Sequence, residues 1–483
     1  MPWSDLRDFL DELDRHRQLL VIDDEVTPEP DLGAAGAAVN RLGDQAPALL
    51  FRNVRGFNDA RVAMNVLGSW SNHALMLGLP KSTPIREQFF VFAERWQRFP
   101  VEVERRRDAP FQEIPIREGI NLFEQLPVFR LNAGDGGFFI DKGCVITRDP
   151  SDPAHFGKQN VGIYRLQVKG RTRLGIQVAP QHDLARHLAI AERTGRNLPV
   201  AIAVGCDPVI TLMAGTPLAY DQSEYAMAGA IRGEPYPIAR APLTGLDVPW
   251  GAEFVIEGEI LAGVREYEGP FGEFTGHYTG GRNTPVIEVR CVSHRQRPIF
   301  EHLYLGIPWT EVDYMIGLNT SVPLYAELKQ AYPDEVVAVN AMWCHGLVAI
   351  VSLRSRFGGF ARSVALRLMS TPHGLGYCKV VILVDDYVDP FDLQRVMWAI
   401  ATKVHPRHDV FTIPNLPVVS LDPSSEPPGM TDKLVIDATT PVHPDARGRF
   451  ARSPLVEPRA ESRAWEQRLN ELFARLSDGR GPN

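Results

Sequence analysis

Apolar residues recur with helical spacing at the start of the chain. Leu6, Phe9, Leu10 and Leu13 share one face, while Asp5 and Asp8 suit the positive end of a helix. An amphipathic opening helix capped by Ser4 is predicted. Short apolar runs follow at Val21 and Ile22 and at 49–51, separated by Pro and Gly turns, so residues 1–110 read as an N-terminal α/β domain. From about Phe111 the pattern changes to β-rich runs at 164–168, 174–178, 200–204, 253–261 and 286–292, each bounded by Gly, Pro or Asp. A partly closed barrel or a sandwich is expected over 111–308, interrupted by helices at 183–194 and 223–231, the second with Ser223 at its N-cap. Over 309–455 helix and strand alternate. Buried strands are predicted at 348–353 and 380–384, and a helix started by Pro390 at 391–402, which gives a C-terminal α/β domain. Residues 456–483 form a last helix with Trp465, Leu469, Leu472 and Leu476 on one stripe. Either its own domain covers that stripe, the default, or a neighbouring subunit does. The fold class expected is mixed α+β.

Composition narrows the function. With 483 residues and 44% hydrophobic positions, the chain is long enough for about three domains, each with a core of its own. The 51 basic against 59 acidic side chains give a net charge of −8, which leaves no basic excess for a phosphate backbone, so no nucleic-acid partner is expected. Five scattered cysteines without a CxxC pair fit a reducing compartment and argue against a thiolate zinc site. The start of the sequence lacks the pattern of a signal peptide, and no apolar run approaches the ~20 residues of a membrane span. A cytoplasmic protein with no membrane association is expected.

The densest candidate chemistry lies in Glu268-Gly269-Pro270-Phe271-Gly272-Glu273, where two carboxylates flank a stiff turn. If the turn aims both into a poorly solvated pocket, one is held protonated near neutral pH as a general acid. A solvated surface hairpin is the alternative. Asn160-Val161-Gly162-Ile163-Tyr164-Arg165 places an amide, a glycine and a guanidinium at the entrance to a predicted strand, a layout suited to a phosphate and a nearby carboxylate. Asn160, His182 and Glu224 together offer an amide oxygen, an imidazole and a carboxylate, a set suited to Mn²⁺ or Mg²⁺, though spacing alone does not bring them together. Dinucleotide and P-loop glycine fingerprints and a GxSxG elbow are absent.

In type and order these residues resemble the UbiD family of decarboxylases. The resemblance rests on NVGIYR at 160–165, QHD at 181–183, SEY at 223–225, EGPFGE at 268–273 and KVVILVDDYVDP from Lys379. Within the family, EHLYLGIPWTEVDY from Glu301, HGLVAIVSLRSRFGGFAR from His345, STPHGLGYCK from Ser370 and TDKLVIDATTPV from Thr431 are most similar to the C subunit of the non-oxidative hydroxyarylic acid decarboxylases. The resemblance implies a central split β-barrel that binds prenylated FMN. It also implies reversible loss of CO₂ from a 4-hydroxybenzoate-, vanillate- or protocatechuate-like acid. Arg165, Glu268 and Glu273 would form the catalytic network, with Glu273 as proton donor. Asn160, His182 and Glu224 would hold Mn²⁺ on the cofactor phosphate, and Lys379 would touch that phosphate. Val161, Gly162, Ile163, Tyr164 and Gln181 would lie against the cofactor. Carbonyls around Ala214 and Thr216, with Glu224, would bind K⁺. His345 and Phe274 would face the substrate, with His373 and His277 as further candidates for its hydroxyl. A prenyltransferase that makes the cofactor, a small accessory subunit and a homo-oligomer, dimer or hexamer, are implied in the same way. Two other readings stay open: a UbiD branch acting on a heteroaromatic or polyprenylated acid, and a flavin-binding or assembly protein without turnover.

Overall fold

The opening helix, Leu6–Arg15, buries Leu6, Phe9, Leu10 and Leu13 as the spacing requires, but its cap is Asp5, whose side chain accepts from the Asp8 amide. Ser4 instead donates its hydroxyl to Asp8 at 2.7 Å, so the expected cap is displaced by one residue. The structure, a computed structural model, describes residues 3–445, 455–456, 459 and 461–477. Beyond the first helix, strands Leu19–Ile22, Ala48–Phe51 and Arg61–Met64 form a sheet whose fourth strand, Ile299–His302, arrives from far along the chain and pairs parallel to Arg61–Met64. The central segment therefore lends a strand to the N-terminal sheet.

The core of the molecule is a nine-stranded sheet, antiparallel in its pairings. Gln159–Ile163 lies at one end of its order, and Leu166–Val168 is next to last at the other. Only Tyr164 and Arg165 separate these strands in sequence, a span from Ile163 to Leu166 of about 11 Å or less even when extended. The sheet must therefore curl until its two ends meet, which makes a split barrel with Arg165 at the seam. Curvature is concentrated in the long pair Phe254–Glu268 and Arg282–His294, whose register shifts at Glu257/Gly258 and again between Ile260 and Arg265. Glycine is required at the first shift, since a Cβ at Gly258 would sit 2.2 Å from the Glu288 carbonyl oxygen. The first of these strands runs to Glu268, well past the expected end at 261, and Asn160 to Ile163 lie within a strand rather than at the entrance to one.

The 21-residue helix Glu311–Ala331 joins the barrel to the last sheet and opens with a capping box between Thr310 and Asp313. It is buried on nearly every side between units, with polar Asp313, Asn319, Thr320 and Ser321 buried beside its apolar residues, so no amphipathic periodicity announces it. The C-terminal sheet orders Val336–Trp343, Val348–Leu353, Val380–Asp385, Met430–Asp437 and Val410–Pro417, with parallel pairings at its centre. A helix runs over Leu393–Lys403 with Asp392 as its cap, two residues beyond the expected start. The terminal helix, Ser462–Ser477, leaves Trp465, Leu469 and Leu472 exposed by 55%, 56% and 45%, so the expectation that its own domain covers the stripe is not met; the Leu476 side chain lies outside the described residues. No described helix is long and apolar enough to cross a membrane.

Candidate active site

Arg165 at the barrel seam organises the site. Its Nε and Nη2 donate to the two carboxylate oxygens of Glu268, both at 2.9 Å, a bidentate pair, and its Nη1 donates to Glu273 Oε1 and, at 2.7 Å, to Thr279 Oγ1. Glu268, the last residue of its strand, is 0% exposed and Glu273 5%. The Gly-Pro-Phe-Gly turn thus aims both carboxylates inward, and the surface-hairpin alternative is excluded. The Arg165 guanidinium lies 5.2 Å from the Phe271 ring centroid, so the turn also supplies the apolar face beneath the ion pair. Burial pushes the Glu273 carboxyl above the ordinary range; Arg165 opposes the shift and the Glu268 charge adds a smaller push.

Arg165 and Glu273, with Glu268 buried behind them, open onto a cavity of about 380 Å³, lined also by residues 160–164 and Gln181, His182, Ala214, Thr216 and Glu224. Glu224 sits in the first turn of the helix Glu224–Arg232, capped by Ser223 as expected, and its Oε2 is buried without a partner. Burial drives its carboxyl well up, with the nearby Asp183 charge adding to the shift. His182 accepts the Ala179 amide through Nδ1 at 3.3 Å, and burial lowers its pKa to about 4, so the ring is neutral with Nε2 uncommitted. Asn160 donates weakly to Tyr164 Oη at 3.5 Å, which leaves its amide oxygen for another group. An orphaned buried carboxylate, a neutral imidazole and an amide oxygen around one cavity fit a divalent cation. Among the described residues no cluster of three or more His, Cys, Asp and Glu is poised for a metal; Asn160 is the third donor here. Gly162 is fixed by Tyr164, whose ring a Cβ would meet at 2.4 Å.

More of the wall comes from the long helix and from turns and a short helix, Pro372–Gly376, of the C-terminal domain. Cys344, His345 and Gly346 have φ of 46°, 58° and 86°, a left-handed run that costs about 1 kcal/mol or more for each non-glycine residue and turns the His345 ring toward the cavity. His345 stands edge-on to Tyr377 at 4.4 Å and lies 5.9 Å from Phe274, while His373 stacks on Tyr377 at 4.5 Å. Burial keeps both imidazoles neutral, lowering His373 to about 4. His277 is exposed and does not line the cavity. Lys379 does not reach it either: its ammonium is bound to Asp422 at 2.8 Å and Ser424 at 2.5 Å.

Three family models tile this architecture: the 3-octaprenyl-4-hydroxybenzoate carboxy-lyase N-terminal domain over residues 10–90, its Rift-related domain over 102–308 and its C-terminal domain over 313–438. A phenolic acid decarboxylase of Bacillus subtilis (strain 168) is 62% identical over 473 residues, 98% of this chain and 100% of that protein. The chain belongs to the UbiD family. This UbiD-family protein is therefore an enzyme, a carboxy-lyase. The closed form of Sedimentibacter hydroxybenzoicus vanillic acid decarboxylase matches it with a TM-score of 0.92 and 49% identity, covering 98% of this chain and 99% of that one. An evolved dimeric form of HmfF from Pelotomaculum thermopropionicum, in complex with prFMN, matches with a TM-score of 0.77 and 31% identity, covering 94% and 97%.

Sequence reasoning missed Thr279, Tyr377 and Leu421. Thr279 completes the hold on Arg165, and Tyr377 and Leu421 line the cavity. No local pattern marks them, although Tyr377 lies within the STPHGLGYCK segment and its position two residues before Lys379 was a usable signal.

Proposed function

We propose that this UbiD-family carboxy-lyase removes CO₂ reversibly and without oxidation from a hydroxybenzoate-type aromatic acid, with prenylated FMN as its cofactor. The observation that carries the reading is the buried ion-pair network of Glu268, Arg165 and Glu273, of which Arg165 and Glu273 line a cavity of about 380 Å³. Relatives named phenolic acid and vanillic acid decarboxylase, and a neighbour in complex with prFMN, support it. When bound, prenylated FMN supplies an electrophilic carbon that accepts the electron pair left on the ring as the carbon–carbon bond to CO₂ breaks.

The protein's own residues then have three tasks. Asn160, Val161, Gly162, Ile163, Tyr164 and Gln181 form the wall that receives the flavin. Asn160, His182 and Glu224 would hold Mn²⁺, or Mg²⁺, beside the cofactor, and Glu224 with the carbonyls around Ala214 and Thr216 would hold K⁺. Lys379 would reach the cofactor phosphate only by giving up Asp422. Glu273, kept above the ordinary carboxylate range by burial, delivers a proton to the ring carbon that loses CO₂, so that one carbon–carbon bond is exchanged for one carbon–hydrogen bond. Arg165 fixes Glu273 and balances Glu268, keeping its own charge throughout. Phe274 borders the ring, and the neutral His345 imidazole accepts the phenolic proton or donates to its oxygen. The enzyme acts in the cytoplasm as a homo-oligomer, dimer or hexamer, supplied by a prenyltransferase and accommodating a small accessory subunit.

The test is co-expression with a prenyltransferase, followed by a CO₂-release screen over 4-hydroxybenzoate, vanillate and protocatechuate against benzoate and a heteroaromatic acid. Turnover confined to the hydroxylated acids is expected. A heteroaromatic acid as the best substrate would overturn the substrate class, and no CO₂ from any of them would overturn the reading.

A further inference from the structure

The turn that carries both glutamates is held by a second turn on which no role has so far been placed. Asp135, 5% exposed, accepts the Gly272 amide through Oδ1 at 2.8 Å and the Asn132 amide through Oδ2 at 2.8 Å. Gly136 donates its amide to the Pro270 carbonyl at 2.7 Å, and Gly134 donates to Tyr278 Oη at 3.0 Å. Contact between the turns is as close as backbone allows: a Cβ at Gly136 would lie 2.2 Å from the Gly269 oxygen, and one at Gly272 would lie 2.7 Å from Asn132 Nδ2. Asn132 carries the connection onward, donating to the Leu305 carbonyl at 2.8 Å and accepting from Tyr304 Oη at 3.1 Å, and Leu305 lines the cavity.

We propose that Asp135 is a positioning residue for the acid: it fixes the Gly272 amide, one residue before Glu273, and ties that turn through Asn132 to the cavity wall at Leu305. Its carboxylate is suited to the task because both oxygens face backbone N–H donors. An amide in its place must present an NH₂ group to one of them, losing a hydrogen bond and setting donor against donor. Glu273 then samples a wider range of positions, and proton delivery, which needs the acid within hydrogen-bond reach of the reacting carbon, slows while binding surfaces stay intact. Burial pushes the Asp135 carboxyl above its ordinary range, and the two amides it accepts, from Asn132 and Gly272, oppose that push.

The inference rests on the proposed role of Glu273, and its test separates the two. In holoenzyme carrying Asp135→Asn, kcat is expected to fall 10- to 100-fold with KM and flavin affinity within threefold. Hydrogen exchange of the amides at 271–273 should quicken at least tenfold while that of strand Leu198–Val204 is unchanged. A kcat within twofold of wild type, unchanged exchange in the turn, or a loss shared equally by KM and flavin affinity would overturn it. Should the amide variant be insoluble, Asp135→Ser must show the same split, and its absence overturns the inference equally. Wild-type holoenzyme that releases no CO₂ refutes the decarboxylase reading, while exchange in the turn still decides whether Asp135 holds Gly272.

Discussion

Replacing Glu273 by Gln isolates the proton from the geometry. Gln is the neutral isostere of a protonated carboxyl, and burial already favours that neutral form here. Its amide oxygen can still accept from Arg165 Nη1, and the bidentate pair between Arg165 and Glu268, at 2.9 Å on both arms, does not involve the substituted atoms. Fold and cofactor binding should therefore hold. What is lost is a general acid, worth 10²- to 10⁴-fold in rate, or about 3–5 kcal/mol of barrier. The assay is CO₂ release by holoenzyme under saturating hydroxybenzoate, with the flavin spectrum recorded on the same sample. The expected result is a kcat at least a hundredfold lower on an unchanged spectrum. The pH profile supplies an independent sign. A raised carboxyl keeps its proton to higher pH, so activity is present below that raised value and is lost as pH rises through it; the alkaline limb should disappear in Glu273→Gln. A variant that keeps kcat within threefold of wild type, or keeps the limb, would refute the assignment of the proton to Glu273.

Other substitutions test the remaining parts. Arg165→Met leaves Glu268 buried without its partner and is expected to cost about 3–5 kcal/mol in denaturant unfolding, besides abolishing turnover; a loss under 1 kcal/mol would show that the pair is dispensable to the seam. Glu224→Gln removes the orphaned buried carboxylate, so bound manganese measured by elemental analysis should fall at least tenfold while the melting temperature of metal-free protein is unchanged or higher; full metal occupancy would contradict the ligand set. His345→Phe should raise KM for hydroxylated acids several-fold more than it raises the inhibition constant of benzoate as a competing ligand, and equal changes in both would remove His345 from substrate recognition.

What the sequence disclosed divides by the range of the interaction. Local chemistry was legible: Ser223 caps its helix and apolar spacing marks the buried face of Leu6–Arg15, whereas the stiff turn between Glu268 and Glu273 left an inward pair and a surface hairpin both open, and only the fold buries both acids. The Asp5 cap was missed by one residue because either of two adjacent polar side chains can serve the first turn, and only the backbone path selects between them. Contacts formed by closure of the barrel were not legible. Thr279 meets Arg165 across 114 positions and Asp135 meets Gly272 across 137, and no periodicity encodes either approach. Lys379 illustrates the converse, since its place in a motif foretold a role, yet the loop bearing Asp422 and Ser424 takes its charge first. The helix Glu311–Ala331 escaped notice because burial on all sides erases the polar stripe that normally reveals a helix.

Turnover of 4-hydroxybenzoate in D₂O by holoenzyme, read by NMR, tests the central claim most directly. The account predicts phenol carrying one deuterium at the carbon that bore the carboxylate, formed by wild type and not by Glu273→Gln. Holoenzyme that leaves the acid intact, or a Gln variant that labels that carbon at the wild-type rate, would contradict it.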